Sequence, residues 1–388
     1  MSRKLFVAAW LGVAALGGPA AAAQPTSTAL PIEELGHIAA LPERYPASWV
    51  LADYIAEPSV SESKTEVLEI TDHGAVLKGQ VPTHQLGVTL ASPVRPEIYV
   101  AETFYARGER GARTDVITIY DTQTLTATGE IVLPGAKRGL FVKQPASFAL
   151  TNGGRWGLVF NFTPASSVTV VDLVGRKVLG EVATPGCAQI FPTGSRGFSS
   201  LCANGTLLSF QLDAAGKPVS QRESAPFNPL DSDPLFLAPA AVSGVSYFPS
   251  LGGRVQPIDF RPETPAILPA WSLVDDKLAA QHWRPSGLQL SAGDTQKLYV
   301  LMRPNAEEGS HKEGGAEVWV FDPATHARTA RLKLKHPARS VMVTSAQPSR
   351  LLAIGVAGAL DVYDTAGGGF ITSSTVPALG GALLRPAQ

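Results

Sequence analysis

The stretch VITIYDTQTLTATGEIVL, residues 116–133, has three parts. An alternating run rich in Val, Ile and Thr ends at Asp121, a short polar turn follows, and a second extended run closes it. Alternation places one face of a strand inward, and β-branched residues suit a pleated, half-buried surface. An aspartate just past a strand suits a turn, because its carboxylate accepts the next backbone N–H. The same phrase recurs along the chain. VLEITDHGAVLKG carries Asp72, VTVVDLVGRKVLGEV carries Asp172, and LLSFQLDAAGKPVSQ carries Asp213. VQPIDFRPETPAIL follows at Asp259, VWVFDPATHARTARLKL at Asp322 and LDVYDTAGGGFITSSTV at Asp364.

Successive aspartates lie 49, 51, 41, 46, 63 and 42 residues apart. Four-stranded propeller blades recur at roughly 40–50 residues. One such sheet cannot bury both faces alone, whereas radial packing covers each blade with its neighbours and leaves only short edges. Weaker β-rich runs (EIYVAETFYA, WGLVFNF, KLYVLM, LLAIGV) precede several phrases, at the offset of the preceding strand in the same blade. The sequence therefore predicts an all-β fold, a seven-bladed β-propeller of four-stranded antiparallel blades, in a single domain over residues 24–388. The widest gap holds WSLVDDKLAAQHW, residues 271–283, which reads as a short amphipathic helix between blades.

Residues 1–23 read as a secretory signal peptide. MSRK is a short basic start, LFVAAWLGVAAL is apolar, and Ala21-Ala22-Ala23 fits a small-x-small cleavage site before Gln24. An apolar run of about a dozen residues is too short to span a bilayer, which needs roughly 20. SRKLF has one arginine where a twin-arginine signal has two, so both export routes stay open. The expected location is the periplasm. Loss of Arg3 and Lys4 changes 32 basic against 33 acidic residues to 30 against 33, a net charge of −3. That balance gives no basic footprint for nucleic acid.

Both cysteines lie in CAQIFPTGSRGFSSLCANG, residues 187–205. In an exported chain two thiols pair, there is no CxxC or CxxCH, and partners for a metal are not visible. A Cys187–Cys202 disulfide is expected, closing a loop of about 15 residues. Catalytic machinery is otherwise missing. Ser195 in GSRG lacks the nucleophile-elbow spacing, and TNGGRWG (151–157) reads as a β-turn rather than a phosphate loop. His37, His73, His84, His282, His311, His326 and His336 show no i,i+2 or i,i+4 pair, so no local metal site is expected.

TFYARGERGARTDVITIYD (103–121) resembles a segment in the heavy subunit of quinoprotein amine dehydrogenases, as do CAQIFPTGSRGFSSLC, HWRPSGLQ (282–289) and GSHKEGGAEVWVFD (309–322). The last of these and SDPLFLAPA (232–240) resemble the aralkylamine branch more than the methylamine branch. The resemblance covers most of the chain after residue 23. It implies a scaffold subunit with no catalytic residue of its own, paired with a light subunit in an α2β2 heterotetramer. Tryptophan tryptophylquinone would reside on that light subunit, oxidise a primary amine to aldehyde and ammonia, and pass electrons to a blue-copper protein of the azurin or amicyanin kind. The family's channel-mouth aromatic precedes an Arg-Gly-x-Arg-[Ser/Thr]-Asp run, here residues 110–115, which points to Tyr105 first and Phe104 beside it as a substrate gate. Arg107, Arg110 and Arg113, with Glu109 and Asp115 interspersed, are expected to contact light-subunit carboxylates through bidentate pairs. His311 and Lys312 read as part of an exposed glycine-bearing turn. The competing readings are a methylamine dehydrogenase heavy subunit and a periplasmic binding propeller without redox function.

Overall fold

The computed structural model describes residues 40–55, 61–140, 142–355, 357–379 and 381–388. The signal peptide expected over residues 1–23 and the start of the domain at residue 24 lie outside these. Seven antiparallel sheets follow one another around a ring. Counted outward from the axis, blade 2 consists of Val88–Ala91, Glu97–Arg107, Arg110–Asp121 and Ala127–Leu133. Blades 3, 4 and 7 repeat that order, beginning at Phe148–Thr151, Cys187–Thr193 and Ser340–Val343. In blade 6 the inner strand comes in two pieces, Arg284–Pro285 and Ser291–Gly293, both paired with Leu298–Arg303.

The chain closes the ring in blade 1. Its three outer strands, Trp49–Tyr54, Ser63–Thr71 and Gly74–Thr83, come from the N-terminal side of the described chain, and its innermost strand is Ala382–Pro386. Val50 lies opposite Pro386 and Tyr54 opposite Ala382. Gln289 of blade 6 ties this strand to the ring, its side-chain amide donating to the Leu384 carbonyl and accepting the Leu384 N–H, both at 2.8 Å.

Every repeated phrase maps to the third strand, the turn and the fourth strand of one blade. Six of the seven aspartates bond a following backbone N–H: Asp121 that of Thr124 at 2.9 Å, Asp172 that of Val174 at 3.2 Å, and Asp213 that of Ala215 at 2.8 Å. Asp259, Asp322 and Asp364 do the same to Arg261, Ala324 and Gly367. Asp72 departs from the expectation. In its turn the Thr71 hydroxyl accepts the His73 N–H, and Asp72 reaches Arg350 of blade 7 at 2.8 Å.

Alternation survives mainly on the outer strands, such as Ala127–Leu133. Trp156–Asn161 and Ser167–Asp172 are buried at every position, because a neighbouring blade covers each face. The apolar core accordingly divides into clusters lying between blades. One joins blades 2 and 3 through Tyr99, Ile117, Phe148 and Val159, and another joins blades 7 and 1 through Leu352, Val362, Val50 and Leu68.

The expected helix over residues 271–283 shrinks to Asp276–Ala280, with the Asp275 carboxylate accepting the Leu278 N–H at 2.8 Å. Packing overrides the helical pattern at both ends. Trp271 pairs as a strand with Val255 and stacks on His326 at 4.9 Å, while Trp283 packs on Trp319 at 5.0 Å. Cys187 and Cys202 face each other across the two inner strands of blade 4 and form the expected disulfide.

Candidate functional site

The two ends of the ring differ. One end, here the turn face, carries the first-to-second-strand and third-to-fourth-strand turns. The opposite end, the loop face, carries the second-to-third-strand connections and the linkers between blades. From the loop face projects a hairpin of blade 2, whose strands Glu97–Arg107 and Arg110–Asp121 stay paired from Glu97↔Asp121 to Arg107↔Arg110. Its lower part is buried, whereas residues 106–112 at its tip are exposed. Gly108 makes the turn with φ +66°, a left-handed conformation that costs glycine nothing.

The hairpin separates the two aromatics that the sequence offered as one gate. Successive side chains on a strand point to opposite faces. Phe104 lies opposite Thr114 and packs on the His84 ring of the blade 1–2 linker at 4.6 Å. Half-buried Tyr105 lies opposite Arg113 on the other face. The three arginines separate as well. Arg107 and Arg110 are exposed at the tip, but Arg113 folds back, pairing with Asp115 at 2.8 and 3.0 Å and donating to the Arg138 carbonyl at 2.6 Å.

Beneath the hairpin is an ionic network that the sequence reading missed. Asp115, 1% exposed, accepts the Thr103 hydroxyl at 2.6 Å, the Arg138 N–H at 2.8 Å and the Arg113 guanidinium. Buried Arg138 donates to Thr103 at 2.9 Å and to the carbonyls of Leu86 and Gln85. Burial lowers its pKa to about 10, against the attraction of Asp115, so it stays charged at neutral pH. Glu102 accepts the His84 N–H at 2.9 Å and the Thr118 hydroxyl, and burial pushes its carboxyl above the ordinary range. Nearer the axis, buried Lys143 pairs with Asp53 and donates to the Tyr54 carbonyl at 2.8 Å. Lys137, Arg138 and Lys143 sit in the linker PGAKRGLFVKQP, residues 134–145, where nothing local marks their partners.

A cavity of about 420 Å³ opens on the same face, lined by Val142, Phe236, Leu288, His311, Lys312 and Arg339, among others. His311 and Lys312, expected in an exposed turn, do sit on the turn Ser310–Lys312 but line this cavity, with His311 half-buried and 6.0 Å from the Phe236 ring. Burial and then the Lys312 charge lower the His311 pKa. A second cavity of about 400 Å³ runs through the inner strands past Leu90, Phe191, Gln289 and Arg385. Larger spaces of about 590 Å³ lie away from the hairpin, one between blades 4 and 5 and one on the turn face. Among the described residues no group of three or more His, Cys, Asp or Glu side chains is arranged to hold a metal ion.

Residues 51–382 match the model of the methylamine dehydrogenase heavy chain family. The chain belongs to that family. The methylamine dehydrogenase heavy chain of Methylorubrum extorquens is 31% identical over 278 residues, which is 70% of this chain and 67% of that one. The corresponding chain of Methylophilus methylotrophus is 25% identical over 80% of this chain and 76% of its own length. Among solved structures, the dihydro-heme d1 dehydrogenase NirN has a TM-score of 0.51 at 16% identity, covering 89% of this chain and 78% of its own. A functionally unknown protein from Desulfotomaculum acetoxidans has a TM-score of 0.55 at 11% identity, covering 86% and 98%. These two share the fold alone.

In this family member the tryptophans of the described region are committed to packing. Trp49, Trp156, Trp271, Trp283 and Trp319 are all buried, and the one close pair, Trp283–Trp319, lies under the Arg331 guanidinium at 4.7–4.8 Å. None lines the loop-face cavity.

Proposed function

We propose that this chain is the heavy subunit of a periplasmic quinoprotein amine dehydrogenase, exported by residues 1–23 and paired with a light subunit in an α2β2 assembly. The observation that carries the reading is the family match over residues 51–382. The light subunit brings tryptophan tryptophylquinone, which supplies the two-electron oxidation of a primary amine to aldehyde and ammonia, and the electrons pass to a blue-copper protein of the azurin or amicyanin kind. The role of this chain is to seat that subunit and to wall the approach of the amine. Its loop face suits the task, with apolar Phe104, Val142, Phe162 and Leu230 exposed there and Arg107 and Arg110 at the hairpin tip. Phe104 and Tyr105 wall the approach of the amine from opposite faces of the hairpin, and Arg107 and Arg110 reach light-subunit carboxylates. Arg113 supports the contact from behind, through Asp115.

Aromatic amines are the proposed substrates, supported by the likeness of residues 232–240 and 309–322 to aralkylamine dehydrogenases and by Phe236 and His311 in the loop-face cavity. Methylamine is the second reading, favoured by the names of the curated relatives. Purification from the native periplasm tests both. A copurifying small subunit that stains for quinone, with visible absorbance bleached by phenylethylamine before methylamine, is expected. Bleaching by methylamine alone selects the second reading. A colourless lone chain replaces both with a binding propeller.

A further inference from the structure

We propose that His84 is a specificity-determining positioning residue, holding Phe104 as a fixed aromatic wall that favours amines with a flat ring in the side chain. This rests on the amine dehydrogenase reading above and adds to it a residue in a different linker from the hairpin. Phe104 is 37% exposed where the hairpin leaves the ring, and a side chain so placed needs a neighbour to fix its rotamer. The His84 ring supplies one, with centroids 4.6 Å apart and planes at 43°. Tilted contact at this distance is a favourable arrangement for two π-systems.

His84 is itself held at several points. Its backbone N–H donates to the buried Glu102 carboxylate at 2.9 Å. Its Nδ1 lies 3.1 Å from the Ser61 carbonyl, and because a carbonyl only accepts, Nδ1 carries the proton and the plane of the ring is set. Gln85 and Leu86, next in the chain, adopt left-handed conformations at φ 42° and 56°, and Arg138 binds both their carbonyls. Non-glycine residues in that region are strained, and such strain persists only where the surroundings enforce it. Gly87 completes the clamp, since a Cβ there would come within 3.2 Å of Glu102 and Thr83. Buried charges, strain and a close backbone approach thus converge on a linker whose outward feature is one imidazole beneath one phenyl ring. Tyr105, on the opposite face of the hairpin, is outside this clamp.

The test uses the assembled heavy–light complex and the ratio of kcat/KM for phenylethylamine to that for methylamine. H84L keeps volume but removes the ring, and should lower the ratio by about three- to tenfold through a higher KM for phenylethylamine. H84F keeps the ring and should hold the ratio within about 1.5-fold. A loss of packing that merely slowed the enzyme would move both amines together. If H84L fails to assemble, F104L takes its place, and the same drop is expected. An unchanged ratio in whichever variant assembles overturns the role of His84 while leaving the functional reading intact. A wild-type complex inert toward both amines overturns the functional reading instead.

Discussion

The turn face and the loop face are built from the same blades but held in different ways. On the turn face, Asp121 bonds residues two and three positions away, and Asp213, Asp322 and Asp364 likewise bond within their own turns. On the loop face, Arg138 reaches 52 residues back to Leu86, and Lys143 reaches 90 residues back to Asp53. Local bonds hold six of the seven aspartate turns, while Asp72 instead reaches across to Arg350 of blade 7 at 2.8 Å. Long-range bonds from buried charges tie the hairpin and the linkers into one unit, where a change in any member is felt by the others. The exposed phenylalanines also belong to this second face, apart from Phe370 on an outer strand.

The largest effect should come from Lys143→Met, which leaves Asp53 buried without its cation. Removing one partner of a buried pair costs about 3–5 kcal/mol, whereas Asp121→Ala, losing exposed turn bonds, should cost about 1 kcal/mol. Denaturant unfolding of both variants measures the contrast, and equal losses would erase the distinction between the faces. Next, the C187S/C202S double variant should lose about 3 kcal/mol by the chain-entropy estimate for a loop of this length. Cys187 opens the first strand and Cys202 ends the second, so both lie at the loop-face end of blade 4. Hydrogen exchange after reduction should therefore rise there before it rises at the Asp213 turn, and the opposite order would contradict the placement.

The smallest expected effect concerns pH. Backbone N–H groups hold the carboxyls of Asp121, Asp213, Asp322 and Asp364 below their ordinary range. For such groups the stabilising contribution is complete above the unfolded value near pH 4 and is lost as pH falls through the depressed folded value. Glu102 has the opposite sign. Burial raises its folded pKa, so its contribution grows as pH falls toward the unfolded value. Acid should therefore weaken the turn face while Glu102 offsets part of the loss. Glu102→Gln should make stability fall more steeply as pH drops toward the unfolded carboxyl value near about 4; a parallel or shallower fall in thermal unfolding would reverse the assignment.

Much of the ring was legible because its signal is local. A third strand, its aspartate and the fourth strand fit within about 15–20 residues, so 116–133 and its six counterparts stand out. The disulfide was legible because a count of two cysteines, in a chain expected to be exported, leaves one pairing. The inner strands were not, since Ala240–Val242 and Ser291–Gly293 are too short to show a period. The helix over residues 271–283 was overread because Trp271 and Trp283 look like one apolar stripe but serve different aromatic contacts. At the candidate site, the composition of residues 103–115 marked the hairpin. Nothing in it told Arg113, turned inward, from Arg107 and Arg110, because what turns it is Asp115 together with Arg138 from the next linker. Asp53–Lys143 is invisible for the same reason.

The closing strand Ala382–Pro386 sets an order on the birth of the molecule. Val50 and Pro386 are partners 336 residues apart. At about 5–20 residues per second, the ribosome makes Trp49–Tyr54 roughly 15–70 s before the strand that will cover it. Throughout that interval one edge of Trp49–Tyr54 offers unpaired N–H and C=O groups to any passing chain. The first blade begun is the last one finished, and whatever pairs with that edge in the meantime competes with the protein's own end.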